Sequence, residues 1–189
     1  PKPFHIINNK TLLELSINAF EGFREIKKTV VVYNKKHTKY VKTLKLGNLI
    51  KIVGGKTRQE STFNALQRIK GMGCTKVLIH DSARPFPSKE LIKKIIHDLK
   101  KNHAVVPTIR INDATKRVKE NIIFKNIQRN SLRFSQTPQG FTFKKIYEKH
   151  KKNTSLACDD DSALFTENDE KVITINGSKL NLKITDRED

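Results

Sequence analysis

Short β-branched runs alternate with amphipathic stretches along this chain, and that alternation restricts the fold more than any single motif. Residues 29–33 (TVVVY), 50–53 (IKIV), 76–80 (KVLIH) and 104–107 (AVVP) read as buried strands, because β-branched side chains suit a pleated, packed surface. Between them, apolar residues recur at helical spacing over residues 11–20, with Thr11 as N-cap. They recur again from about Gln59 through Ile69, with Phe63, Ala65, Leu66 and Ile69 on the inner face, and from Ser88 to about Leu99. Further helices are predicted over about 143–150 and 160–167, and late strands over 171–175 and 180–184. Strands alternating with helices predict an α/β fold: a doubly wound, mostly parallel sheet with helices on both faces. Residues 117–133 fit no such unit. They alternate in β fashion, with Ile122, Ile123, Phe124 and Ile127 among polar neighbours, and predict a protruding β-arm spanning about 111–135.

Composition removes several function classes. The chain has 189 residues and no repeat, low-complexity tract or linker, so a single domain over 1–189 plus one excursion is expected. No run approaches the roughly 18 apolar residues of a membrane span, and Pro1-Lys2-Pro3-Phe4-His5 leads into no apolar signal segment. Cys74 and Cys158 build neither a disulfide framework nor a CxxC zinc pair, which points to a reducing compartment. The net charge of +19 invites a nucleic-acid partner. Lysine is spread nearly end to end, however, and there are only 9 Arg against 29 Lys, together 38. A small anionic substrate is the more economical partner for a basic cleft.

In doubly wound sheets ligands bind beyond the carboxyl ends of the strands, which selects a few places to look. Gly54-Gly55-Lys56-Thr57 resembles the end of a P-loop, but Ile50 stands where that pattern needs its first glycine. The glycines therefore either offer backbone amides to a polar ligand edge or make a plain strand-to-helix turn. Asp81 and Arg84 follow the third strand. There they can hold a metal–phosphate group and a second anion, or form a structural ion pair. The triplet Asp159-Asp160-Asp161 reads as the cap and first-turn acids of a helix rather than a metal site. The six histidines are scattered and receive no role.

The segments PKPF, GGKTRQES, VLIHDSARPF, DATKRV, QRNSLRFSQTPQGF, ACDDDSALF and GSKLNLKIT occur in one order over essentially the whole chain. In combination they resemble the bacterial and plastid 2-C-methyl-D-erythritol 4-phosphate cytidylyltransferases, nucleotidyltransferases of isoprenoid biosynthesis whose β-arm forms a homodimer. The resemblance implies attack by the substrate phosphate on the α-phosphorus of CTP, with loss of pyrophosphate and with Mg²⁺ as cofactor. It implies a bacterial cytoplasmic setting, or the plastid stroma if eukaryotic. It assigns catalytic roles to Lys2, which stabilises the transition state, to Lys183, which positions the methylerythritol phosphate, and to Arg129, which reaches that phosphate from the arm. Thr137 binds the same substrate. Asp81 lies by the ribose and the Mg²⁺, with Ser82 and Arg84 beside it. Gly55, Lys56 (through its backbone) and Ser61 read the cytosine.

Some features depart from that family. Its opening strand and glycine-rich triphosphate loop precede the point where this sequence starts, so the segment alone is expected to be weak or inactive. Ala114 and Cys158 stand where threonines are common, which bears on the substrate more than on the reaction. A ribitol 5-phosphate cytidylyltransferase shares the chemistry but usually carries Val where Ala83 stands. A non-catalytic, basic nucleic-acid-binding domain is the rival from another class, and it predicts that Lys2 and Lys183 lie tens of ångströms apart.

Overall fold

A computed structural model of the chain describes residues 1–44, 49–153, 158–166, 170–186 and 188–189. A small hairpin of β1 (Ile6–Ile7) and β2 (Lys10–Thr11) opens the chain and feeds α1 (Leu12–Asn18). Thr11 starts that helix through a reciprocal capping box with Glu14. β3 (Thr29–Tyr33) is followed by α2 (Thr38–Thr43), and β4 (Leu49–Val53) then pairs with β3 in parallel. Leu13, Ile17, Val31, Val41 and Leu44 form the core of this part. α3 (Arg58–Ile69), capped by Thr57, leads to β5 (Lys76–Ile79). α4 (Lys89–Asp98), capped by Ser88, leads to β6 (Ala104–Arg110).

The arm is a hairpin of β7 (Thr115–Lys119) and β8 (Ile122–Ile127), turned by Glu120 and Asn121 at φ 50° and 64°. Positive φ at both turn residues suits the twist of a two-residue hairpin, although the position asks for Gly or Asn and here receives one Glu. β9 (Arg133–Ser135) then returns along β6, pairing Thr108 with Ser135 and Arg110 with Arg133, and so closes the arm at its base. β10 (Gln139–Thr142), α5 (Phe143–Lys152), the short α6 (Ala163–Thr166) and β11 (Ile173–Asn176) complete the chain.

The main sheet runs β11-β6-β10-β5, with β11 parallel to β6 and β10 antiparallel to both its neighbours. Alternation along the strands divides two helical layers. Ala104 and Phe141 pack with Leu66, Ile69, Ile146, Leu164 and Phe165 on one face, whereas Val105 and Ile175 meet Leu91, Ile95 and Leu99 on the other. Gly140 belongs to the second face, where a Cβ would stand 2.5 Å from Ile95. The predicted α/β doubly wound class therefore holds, with two of the five strands of this sheet, β9 and β10, running antiparallel to β6.

Several expected elements differ. The fourth strand continues past Pro107 to Arg110, and the strand β10 was not expected at all. The predicted helix over 160–167 is confined to four described residues, and its end at Glu167 lies outside the described residues. Residues 180–184 are not a strand, so Lys183 sits on an irregular segment. Side chains supply that segment's bonds instead. The Gln136 amide spans the Ser178 backbone, donating to its carbonyl (2.8 Å) and accepting from its N–H (3.1 Å). The buried Asn181 donates to the Thr137 carbonyl (2.8 Å), and only the Ile184 N–H to Ala83 carbonyl bond (2.8 Å) resembles a ladder rung. Amide side chains can replace strand pairing in this way because they offer the same donor and acceptor groups as the backbone.

Candidate active site

The turns after β4 and β5 lie at one end of the fold, and a charge contact joins them. α3 begins immediately after Gly54-Gly55, and its first residue, Arg58, reaches Asp81 beyond β5, with Nε 3.7 Å from Oδ1. On the other side of Asp81, the Lys183 ammonium lies 3.1 Å from Oδ2. Burial opposes ionisation of Asp81, but Lys183 and then Arg58 outweigh it and hold the carboxyl below its ordinary value. Arg58 also contacts the buried Asp161 at 2.7 Å, and Asp161 accepts from His150 Nε2 at 2.9 Å. A continuous polar chain thus runs from the buried His150 out to Lys183.

Lys2 reaches the segment that carries Lys183. Its ammonium donates to the carbonyl of Thr185, two residues beyond Lys183. The two lysines, 181 positions apart in sequence, flank one short segment, and the separation required by the non-catalytic reading is not found.

Asp81 is aimed from behind as well. The His80 ring faces the Arg84 carbonyl through Nε2 at 2.8 Å; a carbonyl only accepts, so Nε2 carries the proton. Nδ1 must then accept from the Thr137 hydroxyl at 3.0 Å, and that hydroxyl accepts the Asp81 backbone N–H at 3.0 Å. Burial pushes the His80 pKa down to about 4, which keeps the ring neutral and this pattern intact near neutrality. Thr137, expected at the substrate, is buried and bonded to His80 and Asp81.

The remaining expected residues divide by what they touch. The Arg84 guanidinium donates to the Asn181 carbonyl at 2.7 Å and the Ser135 carbonyl at 3.4 Å, tying together segments on either side of the cleft. Ser82 follows Asp81 on the turn, and no partner for its hydroxyl occurs among the described residues. The Gly55 amide donates to the Ser61 hydroxyl at 3.1 Å and the Lys56 amide to Glu60 at 2.5 Å. Glycine is required here by space: a Cβ on Gly54 would lie 2.6 Å from Ser61 Oγ, and one on Gly55 2.4 Å from Glu60 Cβ. Any base edge read by these amides must compete with those two side chains. Arg129 lies apart from the cleft, at the arm base, donating to the Asn112 carbonyl.

The acidic triplet divides its duties. Asp160 accepts from Ser162 N (3.0 Å) and Ala163 N (3.3 Å) and so caps α6 as expected, while also accepting from Ser135 and Gln139 at 2.8 Å each. Asp161 instead belongs to the buried chain with Arg58 and His150. Sequence reasoning missed Arg58, His80 and His150. Of these, Arg58 carried a usable signal, a cation in the first turn of a helix opening at a strand's carboxyl end. The histidines carried none, because their side-chain partners, Thr137 and Asp161, lie 57 and 11 residues away.

Comparison with known proteins shows the family. The profile of the 2-C-methyl-D-erythritol 4-phosphate cytidylyltransferase family matches residues 1–189. The bifunctional enzyme IspD/IspF of Pelagibacter ubique is 40% identical over 185 residues, covering 98% of this chain and 49% of its own length. The chain thus spans about half of that relative. A 2-C-methyl-D-erythritol 4-phosphate cytidylyltransferase of Bacillus mycoides is 30% identical over 195 residues, covering all of this chain and 85% of its own length. The crystal structure of the 4-diphosphocytidyl-2C-methyl-D-erythritol synthase from Anaerococcus prevotii superposes with a TM-score of 0.89 at 31% identity, over 100% of this chain and 86% of the other. That of the Thermus thermophilus cytidylyltransferase gives 0.87 at 27% identity, over 100% and 89%. A profile match that runs the length of the sequence, and a backbone that follows solved relatives throughout, lead to one conclusion: the chain belongs to the 2-C-methyl-D-erythritol 4-phosphate cytidylyltransferase family.

Proposed function

We propose that this chain carries out its family's reaction, transfer of a cytidylyl group from CTP to 2-C-methyl-D-erythritol 4-phosphate. The observation that carries the reading is the pair of cations, Lys183 and Arg58, that flank Asp81 at the carboxyl end of β5, with Lys2 bonded to the carbonyl two residues beyond Lys183. A substrate phosphate oxygen attacks the α-phosphorus; the new P–O bond forms as the α–β bridge breaks, and pyrophosphate leaves with the bonding electrons. Such a step asks the protein for positioning and charge neutralisation more than for covalent chemistry. Lys2 and Lys183 supply fixed ammonium charges where negative charge grows. Lys183 is held in register by Asp81, which is itself aimed by Thr137 and His80.

Asp81 fits a divalent cation of the Mg²⁺ type, which needs only one or two carboxylates when nucleotide phosphates and water fill its other positions. No cluster of three or more metal-ligating side chains occurs among the described residues, so Asp81 would hold the ion together with the nucleotide. The ion would supply further neutralisation of the triphosphate. In this reading Gly55, Lys56 and Ser61 meet the cytosine after Ser61 and Glu60 release the two amides they now hold.

The arm supports a homodimer. Val118, Ile122, Ile123 and Phe124 are 57–67% exposed, and an apolar hairpin of this kind is an aggregation hazard unless another chain covers it. A two-fold pairing buries both arms and carries Arg129 to the neighbour's cleft. None of the described helices is long and apolar enough to cross a membrane. We place the reaction in the bacterial cytoplasm, a reading supported by bacterial relatives.

The test is pyrophosphate release by the full-length protein with CTP and each polyol phosphate in turn. Turnover with methylerythritol phosphate and not with ribitol 5-phosphate is expected. The reverse preference, or none, overturns the reading.

A further inference from the structure

Three arginines line one cleft of about 440 Å³ at the base of the arm: Arg110, Arg129 and Arg133, together with Ile111, Asn112 and Asn130. Arg110 ends β6 and Arg133 begins β9, and the two are direct cross-strand partners. Residues directly opposite in an antiparallel pair project from the same face, and like charges in that position repel. Arg129 stands four residues before Arg133, on the turn that joins β8 to β9.

Nothing offsets this accumulation of charge. Among the described residues no carboxylate lies within ion-pair distance of any of the three guanidinium groups. Arg129 donates to the Asn112 carbonyl and Arg133 to those of Asn130 and Leu132, neutral acceptors that leave the charge in place. The Arg110 side chain has no partner among the described residues. Three cations collected on one concave surface, at an electrostatic cost and with most of their fifteen or so N–H donors unused, make a receptor for a compact dianion.

We propose that Arg110 and Arg133 join Arg129 in a three-guanidinium cradle for the phosphate monoester of the acceptor substrate, so that these two residues set the preference for a doubly charged phosphate. This rests on the reading that Arg129 meets that phosphate, and it adds two specificity-determining residues to it. The guanidinium forks hold the non-attacking oxygens and leave one oxygen to meet the α-phosphorus. Because all three arginines belong to one arm base, they move as a unit into whichever cleft the arm serves.

The experiment uses the full-length protein and the variants Arg110→Gln, Arg133→Gln, the double variant and Arg133→Lys. Each single Gln variant should raise KM for methylerythritol phosphate about tenfold or more, the effect of losing one charge-assisted contact, while KM for CTP moves less than twofold. Arg133→Lys should recover only part of the loss, because a point charge cannot reproduce the fork. The thermal midpoint of the ligand-free Gln variants should hold or rise, since a repulsive pair is removed. An unchanged KM for the polyol phosphate in the double variant overturns the cradle. So does a rise in KM that comes with a lowered midpoint and is matched by an equal rise for CTP, which would mark a structural role. If the wild-type protein itself does not turn over methylerythritol phosphate, the proposed function fails separately. Calorimetric titration with inorganic phosphate then decides the cradle alone: weaker binding by the double variant upholds it, and equal binding overturns it.

Discussion

Two regions of this molecule collect positive charge, and they do so in opposite ways. Lys183 and Arg58 face the carboxylate of Asp81, Arg58 faces a second one in Asp161, and Lys2 is bonded to the Thr185 carbonyl, two residues beyond Lys183 on the same segment. At the arm base, Arg110, Arg129 and Arg133 face no carboxylate among the described residues. The difference separates two kinds of preorganisation. Paired charges fix the orientation of side chains before a substrate arrives, and breaking a pair disturbs the chemistry and, where the partner left behind is buried, the fold as well. Unpaired charges orient nothing, and their stabilisation comes with the ligand. Substitution in the first region should therefore destabilise or inactivate the protein, whereas substitution in the second should weaken binding and leave the fold as it is.

The largest expected effect tests the paired region. Lys183→Ala should lower turnover on the order of 10²–10³-fold, by analogy with loss of one transition-state donor, while circular dichroism and thermal midpoint stay close to wild type. The half-exposed lysine contributes little packing. Mixing this variant with Arg129→Ala sharpens the comparison. If Lys183 serves its own subunit and Arg129 the partner's, subunit exchange should restore activity towards about a quarter of wild type, because about half the dimers are mixed and one of the two sites in each is intact. No recovery despite proven exchange would confine Arg129 to its own subunit.

Arg58→Ala should come next, with a loss on the order of 1–3 kcal/mol in denaturant unfolding, because Asp161 is buried and keeps only His150 as partner. Activity should fall with it, since Asp81 loses one of its two flanking cations. An unfolding midpoint equal to that of wild type would show that the buried chain from His150 to Asp81 does not act as a unit. Thr137→Val should lower kcat about tenfold with little change in KM for CTP. It leaves the Asp81 N–H and His80 Nδ1 without partners, and misaiming a carboxylate is felt mainly in the reacting geometry. Equal losses in kcat and in substrate affinity would instead favour direct contact between Thr137 and the substrate.

A pH dependence tests the same buried network from another side. The folded pKa of His80 is depressed to about 4, so its contribution to stability is fully present above the unfolded value near 6.5 and is lost as pH falls towards 4. Asp81, also depressed, loses its contribution at still lower pH, below its ordinary carboxylate value. Nuclear magnetic resonance titration of the His80 ring should show no protonation near pH 6.5. A midpoint there would mean that the ring is not held neutral by the Arg84 carbonyl and the Thr137 hydroxyl.

Local signals were legible in the sequence wherever the cause of structure is itself local. Thr11 and Ser88 cap helices because an N-cap acts within three residues, and β-branched runs form β3, β4, β5 and β6 because their side chains fit a buried pleated surface. The arm was legible because its apolar alternation had no partner nearby, and the ends of β4 and β5 were marked as ligand positions by the topology alone. The misreadings share a cause as well. Residues 180–184 carry strand-like alternation, yet Gln136 and Asn181 take up the bonding that a neighbouring strand would supply.

The sequence by itself therefore determined the α/β class, the strands β3 to β6 with the helices α3 and α4 between them, and the residue types at the strand ends. Only the tertiary structure decided which charges meet. It placed Lys2 against Thr185, bound Arg58 to both Asp81 and Asp161, buried Thr137 between His80 and Asp81, and set Arg110 opposite Arg133. The physical reason is range. Propensity, capping and periodicity act over a few residues, whereas an ion pair or a hydrogen bond is indifferent to sequence separation and depends only on distance and geometry after the chain has packed.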